Sequence, residues 1–219
     1  MGWQIGYNQD RVSTEQRPQE FQFDLSGGHL ALDFANTISR RDSPEATREH
    51  LKSYNDLIAF ARQSHVITTE EAEALRHKAE PQTRQAAQIL RAGIVLREAI
   101  FDAFLALAHK KQPSAQDVGS IDKAASNASQ HRHIARVNSK YEWRWDTEPM
   151  LERILWSIAE SAAELLTSSD VTKVRECEAS DCYWLFLDNS RNRSRRWCTM
   201  SACGNREKAR RHYRKQRGN

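Results

Sequence analysis

The stretch CEASDCYWLFLDNSRNRSRRWCTMSACGNR, residues 177–206, decides the fold of the C-terminal part of the chain. It contains every cysteine of the 219-residue sequence, as two pairs in which four residues separate the partners. Fifteen residues separate the pairs, a spacing typical of a zinc site in which four thiolates close the tetrahedral shell and leave no position for chemistry. We therefore predict one structural zinc ion with four ligands, Cys177, Cys182, Cys198 and Cys203.

Two disulfides in a secreted protein, or four unrelated buried thiols, are the alternative interpretations of these cysteines. The first 18 residues are polar and lack the apolar segment of a secretory signal peptide. No apolar run approaches the roughly 20 residues of a membrane span. A cysteine set confined to one metal-like cluster also suits a reducing compartment, so we expect a cytoplasmic protein with no membrane segment.

The residues around the cysteines predict a small finger over residues 171–219. Alternating apolar residues favour strands at Val171–Arg175 and Tyr183–Leu187, with the first cysteine pair in a knuckle-like turn between them. After Cys203 the pattern favours a helix that continues to about Gln216. A knuckle, a hairpin and a helix that begins at the last ligand describe a treble-clef-like zinc finger.

The predicted finger also carries a concentrated positive charge. From Arg191 to Asn219 there are eleven basic residues and one acidic residue, Glu207, so this segment has a net charge of +10. The whole chain is +4, and residues 1–190 therefore carry −6. The basic end of such a polarised molecule attracts a polyanion, and the release of condensed counterions supplies much of the affinity.

Arginine predominates in this basic segment, and its planar fork meets a phosphate or the edge of guanine with two hydrogen bonds. A solvated basic face that docks on the acidic body is the alternative interpretation. Phosphate attraction does not distinguish DNA from RNA, and duplex DNA is the partner that we favour. We predict nucleic-acid contacts in the turn after the second strand and along one side of the terminal helix, from Arg191, Arg193, Arg195, Arg196, Arg206, Arg210, Arg214 and Arg217.

Residues 19–170 have the pattern of a helical domain that contains a small β element, preceded by a flexible leader at residues 1–18. Apolar residues at helical spacing predict helices at residues 29–41, 53–63 and about 81–109, and a final helix that starts at Thr147. Thr68 and Glu71 predict a capping box, and Ser114 opens a polar helix that ends near Ser129.

Alternation of apolar and polar residues predicts two β features in this domain, a short strand at Phe21–Leu25 and a hairpin over residues 134–145. Trp143 and Trp145 share one face of the hairpin, as core or interface residues. The fold class that we predict is mainly α with minor β, followed by the zinc finger.

Three polar residues of the first predicted helix, His29, Asp33 and Asn36, offer a candidate small-molecule pocket. The alternative is that they cap the helix or satisfy buried backbone groups. The sequence contains no Gly-rich phosphate loop, no nucleophile elbow and no His-Glu metal helix, so we expect a protein that is not an enzyme.

The motif Cys177-x4-Cys182-x-Trp184-x-Phe186-x-Asp188, continued by Ser190-Arg191-Asn192 and Trp197-Cys198-x-Met200-x-x-Cys203-Gly204-Asn205-Arg206, resembles the CGNR zinc finger. The run Gly27-Gly28-His29-Leu30-Ala31-Leu32-Asp33-Phe34-Ala35-Asn36-Thr37 is similar to the opening of the ABATE domain, and together they cover nearly the whole chain. The resemblance implies a bacterial stress-induced transcription regulator, with the four cysteines as zinc ligands and the finger as its DNA-binding part.

We therefore expect a cytoplasmic DNA-binding regulator whose N-terminal domain senses a small-molecule effector or a partner. A homodimer that reads two half-sites suits so small a finger. The rival functions are an RNA-binding or ribosome-associated module, a redox switch whose thiolates release zinc on oxidation, and a finger that binds protein partners.

Overall fold

Helices dominate the computed structural model, which describes residues 20–41, 43 and 45–217. The predicted leader, residues 1–18, lies outside the described residues. The helices are α1 (Leu30–Ala35), α2 (Tyr54–Gln63), α3 (Thr69–Ala79), α4 (Thr83–Ala108), α5 (Ala115–Ser129), α6 (Arg153–Thr167) and α7 (Asn205–Arg217). Short 3₁₀ segments cover Glu80–Gln82 and Ser169–Lys173, and a π-helical turn covers Met200–Gly204.

The strands of the described chain form two-stranded antiparallel sheets: β1 (Ile38–Ser39) with β2 (Arg48–Glu49), β3 (Arg132–Val137) with β4 (Lys140–Trp145), and β5 (Val174–Glu176) with β6 (Leu185–Leu187). The predicted fold class, mainly α with minor β and a C-terminal zinc finger, is confirmed. None of the described helices is both long and apolar enough to cross a membrane.

Local signals place most of the helices where the sequence predicts them. Ser53 begins α2 and Thr68 begins α3, each in a capping box in which the side chain and backbone of the cap exchange hydrogen bonds with the third helical residue. Ser114 caps α5. The central helix α4 packs against α1, α2, α5 and α6, and its apolar face fills the main core. The last body helix, α6, begins at Arg153, several residues after the predicted start at Thr147.

The predicted strand at Phe21–Leu25 is wrong, because this segment joins no described ladder. The side chain of Gln63 takes the place of a neighbouring strand. Its Oε1 accepts the N–H of Phe23 at 2.9 Å, and its Nε2 donates to the carbonyl of Phe21 at 2.7 Å. The alternation in the sequence therefore reflects one apolar side facing α2, where the Phe23 ring packs edge-on against Phe60.

The predicted helix at residues 29–41 is also wrong in its extent, because α1 ends at Ala35. Asn36 is 3% exposed, and its amide exchanges two hydrogen bonds with the backbone of Leu185, at 2.8 and 2.9 Å. The hydroxyl of Thr37 donates to the carbonyl of Phe34. These bonds stop the helix one turn after it starts and direct the chain into β1.

Strand β6 lies between two clusters of buried side chains. Leu185 and Leu187 belong to the main core, whereas Phe186, which points to the opposite face, packs with the four cysteines. Val174 of β5 is also part of the main core, and the Trp184 indole donates to the Ile38 carbonyl at 3.1 Å. Packing is therefore continuous across residue 170, and the domain limits predicted there stay a prediction.

The side chain of Arg97 is almost fully enclosed, with 2% of the residue's surface exposed. Its guanidinium meets both carboxylate oxygens of Glu49 at 2.6 and 2.7 Å, and its Nε donates to Glu98 at 2.8 Å. Two carboxylates within hydrogen-bond distance compensate the loss of hydration around the cation. This network joins the middle of α4 to β2.

Asp33 gives the body a pH-dependent stability. Burial raises the pKa of its carboxyl to about 7, although the N–H of Gly27 donates to Oδ1 at 2.8 Å. The folded protein therefore binds a proton that the unfolded chain releases at a lower pH, near the ordinary value of 3.8. Stability from this group is complete below that value and is lost as pH rises through the folded pKa.

Replacing Asp33 with Asn should remove this pH dependence, because the amide keeps an acceptor for Gly27 but carries no charge. In urea unfolding, the free energy of unfolding of the variant should rise relative to that of the wild type between about pH 4.5 and about pH 8, by on the order of 3 kcal/mol. Asp122→Asn, at an exposed position of α5, is the control. An equal stability difference at both pH values would contradict the prediction.

Candidate metal centre and nucleic-acid interface

The four cysteines come together in one buried cluster. All four Sγ atoms lie within 4.8 Å of one another, with Cys182 and Cys198 at 3.6 Å and Cys198 and Cys203 at 3.5 Å. None of the four is in a disulfide. Zinc–sulfur bonds of about 2.3 Å in a tetrahedron place the sulfur atoms about 3.8 Å apart, so the cluster fits one zinc ion.

Short turns bring the ligands to this cluster from two directions. Cys177 follows β5, and its N–H donates to the Trp184 carbonyl at 2.8 Å, which holds the knuckle before β6 closed. Cys198 precedes the π-helical turn and Cys203 lies within it, and Thr199 caps this turn by accepting the N–H of Ala202. Zinc in this site would have only a structural role, because four protein ligands leave no place for a substrate or water.

Hydrogen-bond donors surround the sulfur atoms and stabilise negative charge on them. Hydrogen bonds with Cys182 and Cys198 lower the pKa of the Cys177 thiol, and the N–H of Cys198 donates to the same sulfur at 3.4 Å. The Arg206 guanidinium lies 3.2 Å from the sulfur of Cys203. When all four cysteines are thiolates around zinc, the Cys198 N–H and the Arg206 guanidinium would offset part of the double negative charge of the centre.

Each residue of the run Cys203-Gly204-Asn205-Arg206 makes a contact at or beside this centre. A Cβ on Gly204 would lie 2.6 Å from the sulfur of Met200, so a larger residue would have to displace this half-exposed side chain. The Asn205 amide donates to the Ser201 carbonyl at 3.1 Å. Arg206 bridges Cys203 and Asp181, which lies 3.0 Å away. The sequence identified this motif but not the packing that requires it.

The arginines predicted to contact nucleic acid fall into two groups. The first group is engaged within the finger. Arg195 lies over the Phe186 ring at 4.5 Å and donates to the carbonyl of Trp197, and Arg196 pairs with Glu178 at 2.5 Å.

Arg206 and Arg210 belong to the same group, because both pair with Asp181. Arg210 also meets Glu207 at 2.6 Å. These pairs fix the first turns of α7 on the knuckle, a role that helical spacing alone does not reveal.

The second group is exposed, and its members form no ion pair with the described residues. It consists of Arg191, Arg193, Arg214 and Arg217, to which Lys208, Arg211 and Lys215 add further positive charge. Helix α7 buries none of its residues, and residues 211–217 are exposed on every side. The structure therefore brings together a basic surface smaller than the predicted set of eight arginines, centred on the outer part of α7.

The three residues proposed for a small-molecule pocket instead make internal contacts. Ser161 lies 3.3 Å from Nδ1 of His29, Asp33 accepts the N–H of Gly27, and Asn36 holds Leu185. A Cβ at Gly27 would lie 2.8 Å from Oδ1 of Asp33, which explains the glycine before this helix. These contacts match the alternative interpretation, in which such residues satisfy buried backbone groups.

Loss of one ligand should destabilise more than the finger. Cys198→Ser should lower the zinc content from one ion per chain to a small fraction, since the ligand set supplies apparent binding energy on the order of 10–16 kcal/mol. Because β6 is shared with the main core, the melting midpoint of the helical signal should fall as well. Metal analysis and circular dichroism measure the two effects, with Ser201→Ala as a control at an exposed position. A serine variant that keeps one zinc ion per chain would refute the assignment.

Comparison with known families agrees with this geometry. Residues 28–169 match the ABATE family, described as a putative stress-induced transcription regulator, and residues 173–216 match the CGNR zinc finger. No curated protein matches the chain closely enough to add a relative. The chain therefore belongs to the ABATE family and carries, after its ABATE region, a CGNR zinc finger whose four cysteines can hold one zinc ion.

Proposed function

We propose that the chain is a zinc-dependent transcription regulator of the bacterial cytoplasm, a binding protein and not an enzyme, which contacts duplex DNA through its finger and responds to stress or to a small-molecule ligand. The observation that carries the proposal is the surface of α7. Its outer part is exposed and basic, and no acidic residue follows Glu207.

The arrangement of charges on α7 supports a division between a docking side and a binding side. Arg206 and Arg210 face the knuckle, whereas Lys208, Arg211 and Lys215 recur at intervals of three and four residues on the opposite side. The zinc centre and the Asp181 pairs hold the start of the helix, so its free side meets a phosphate backbone without first becoming ordered. Arg191 and Arg193, in the turn after β6, add exposed positive charge to the same finger.

Two parts of this proposal depend on binding data. A finger of this size gives little affinity alone, so we also propose a homodimer that places two fingers on two half-sites of DNA. RNA is the alternative polyanion, because the charges of α7 attract either backbone. The affinities for a duplex DNA and an RNA hairpin should therefore be compared at matched salt. A higher affinity for the RNA hairpin would contradict duplex DNA as the partner.

Removing two charges from the free side of α7 should weaken binding without affecting zinc. We expect Arg211→Gln with Lys215→Gln to lower affinity for duplex DNA by about tenfold or more at moderate salt. The slope of log K against log salt should become shallower by about 2, one for each lost phosphate contact. Fluorescence anisotropy across a salt series measures both quantities.

The matched control removes two exposed basic residues of the body, Arg84→Gln with Lys123→Gln, and so lowers the net charge equally. It should leave the slope unchanged. If both double variants reduce the slope alike, the attraction belongs to the whole molecule and α7 is not the contact surface.

A redox switch is the second candidate function, and one observation favours it. Cys182, Cys198 and Cys203 line a cleft of about 530 Å³ between the finger and the β1–β2 ribbon, so a small oxidant has a path to three ligands. Two thiolates joined as a disulfide would transfer two electrons to peroxide, which becomes two molecules of water after taking up protons, and zinc would be released.

Zinc release during a peroxide titration tests this candidate. A switch predicts release at low peroxide excess, loss of DNA affinity in parallel, and recovery of both after a dithiol and zinc are added. Zinc that stays bound at a large excess of peroxide would exclude the switch and leave the centre purely structural.

A further inference from the structure

A second cleft lies away from the finger, between the β3–β4 hairpin, the turn that joins α2 to α3, and the start of α6. Its volume is about 620 Å³, within the range of sites that hold small organic ligands. Trp143, Trp145, Val66 and Arg153 are among the residues that line it. No residue of the candidate pocket predicted from the sequence contributes to this lining.

Arg153 is the feature of this cleft that calls for a partner. It is 9% exposed, and its Nε has no hydrogen-bond acceptor in the described part of the chain. Its other nitrogens donate to the Ser157 hydroxyl at 3.0 Å and to the Val66 carbonyl at 3.5 Å. The nearest carboxylate among its described contacts, that of Glu71, lies 3.8 Å from the guanidinium, beyond hydrogen-bond distance.

The other buried arginine, Arg97, is a comparison in which carboxylates offset the cost of burying the charge. Arg97 has Glu49 on both of its terminal nitrogens and Glu98 on its Nε, all within 2.8 Å. Arg153 has lost most of its hydration without gaining such an anion, and burial lowers its pKa. Burying a cation is costly unless an anion accompanies it. The contrast indicates that an anion is missing beside Arg153.

The carboxylates that line the cleft give Arg153 no hydrogen bond in the described part of the chain. Glu71 uses Oε2 to accept the N–H of Thr68 at 2.7 Å in the capping box of α3, and its Oε1 forms only a long ion pair, 3.8 Å from the guanidinium. Asp146 lies 3.1 Å from Nδ1 of His131 and 3.4 Å from Nδ1 of His133. An anion from outside the chain would therefore be the partner of Arg153.

The walls of the cleft indicate what the rest of the ligand looks like. Trp143 is 56% exposed although it is a large apolar side chain, and Trp145 packs beside Trp156 with ring centroids 5.8 Å apart. The Arg153 guanidinium lies 5.5 Å from the centroid of the Trp145 ring, so the charge and the aromatic surface adjoin. The Arg132 guanidinium lies 4.7 Å from the centroid of the exposed Trp143 ring, and Trp145 is partly buried. Indole rings next to cations favour a flat apolar body that carries a negative group.

We infer that this cleft binds an aromatic monocarboxylate, whose carboxylate pairs with Arg153 and whose ring packs against Trp143 and Trp145. The inference rests on the ligand-responsive part of the proposed function and names the chemical class of the effector. It is independent of DNA binding, because the site is complete in the free protein.

Calorimetric titration of the zinc-loaded full chain tests the inference without nucleic acid. The probes are indole-3-acetate and benzoate, and their amides, indole-3-acetamide and benzamide, are the uncharged controls. We expect saturable binding of at least one acid at one site per chain, with a rise in melting temperature, and binding of its amide weaker by about tenfold or more. Absence of saturable binding by either acid, or equal binding of acid and amide, would overturn the inference.

Two arginine variants separate ligand recognition from folding. Arg153→Met should weaken binding of the acid by about tenfold or more while the melting temperature of the unliganded protein stays equal or rises, because an uncompensated buried charge is removed. Arg97→Met should instead lower the melting temperature, because Glu49 loses its bidentate partner and Glu98 keeps only Arg41. Unchanged acid binding by Arg153→Met, or a loss of stability as large as that of Arg97→Met, would show that Arg153 needs no ligand. A failure of DNA binding would affect none of these measurements.

Discussion

Strand β6 contributes its two faces to two different cores, and most of the architecture follows from that sharing. Leu185 and Leu187 help fill the helical core, while Phe186 packs with the cysteines, so three consecutive residues join the two parts of the chain. Asn36 holds the backbone of this strand through its side-chain amide, whose nitrogen donates to the Leu185 carbonyl and whose oxygen accepts the Leu185 N–H. Gly27 completes the attachment by accepting the N–H of Leu187 at 2.8 Å. The opening motif of the ABATE region therefore holds strand β6 of the finger in place through backbone and side-chain hydrogen bonds.

Features that depend on neighbouring residues could be predicted from the sequence, and features that depend on distant ones could not. The capping boxes of α2 and α3, the apolar face of α4 and the spacing of the cysteines are local, and the structure agrees with them. The segment Phe21–Leu25 resembles a strand but is satisfied by Gln63, and α1 stops because Asn36 bonds to a residue 149 positions away. The ion pairs of the predicted contact arginines are also distant in sequence: Asp181 pairs with Arg206 and Arg210 of α7, and Glu178 pairs with Arg196 in the loop before Cys198.

Arginine has three distinct roles in this molecule, and its surroundings decide between them. Arg97 is a structural cation, surrounded by carboxylates. Arg206 donates to a ligand sulfur and orients it, as second contacts around metal sites commonly do. Arg153 has no carboxylate within hydrogen-bond distance, since Glu71 lies 3.8 Å away, and the outer arginines of α7 form no ion pair with the described residues. Helix α6 begins at Arg153 and ends at Thr167, shortly before the 3₁₀ segment that leads into β5. The cleft therefore lies at the start of this helix, and the chain continues into the finger from its end.

The shared strand has a consequence for how such proteins can evolve. A module that can be shuffled between genes must fold by itself, and its boundary must cross a segment where few contacts are made. Here a cut before β5 would deprive the helical region of Val174, Leu185 and Leu187, and would leave the finger with an exposed apolar strand that invites aggregation. The ABATE region and its finger are thus expected to be inherited as one unit, and recombination that separates them would produce two fragments unable to fold.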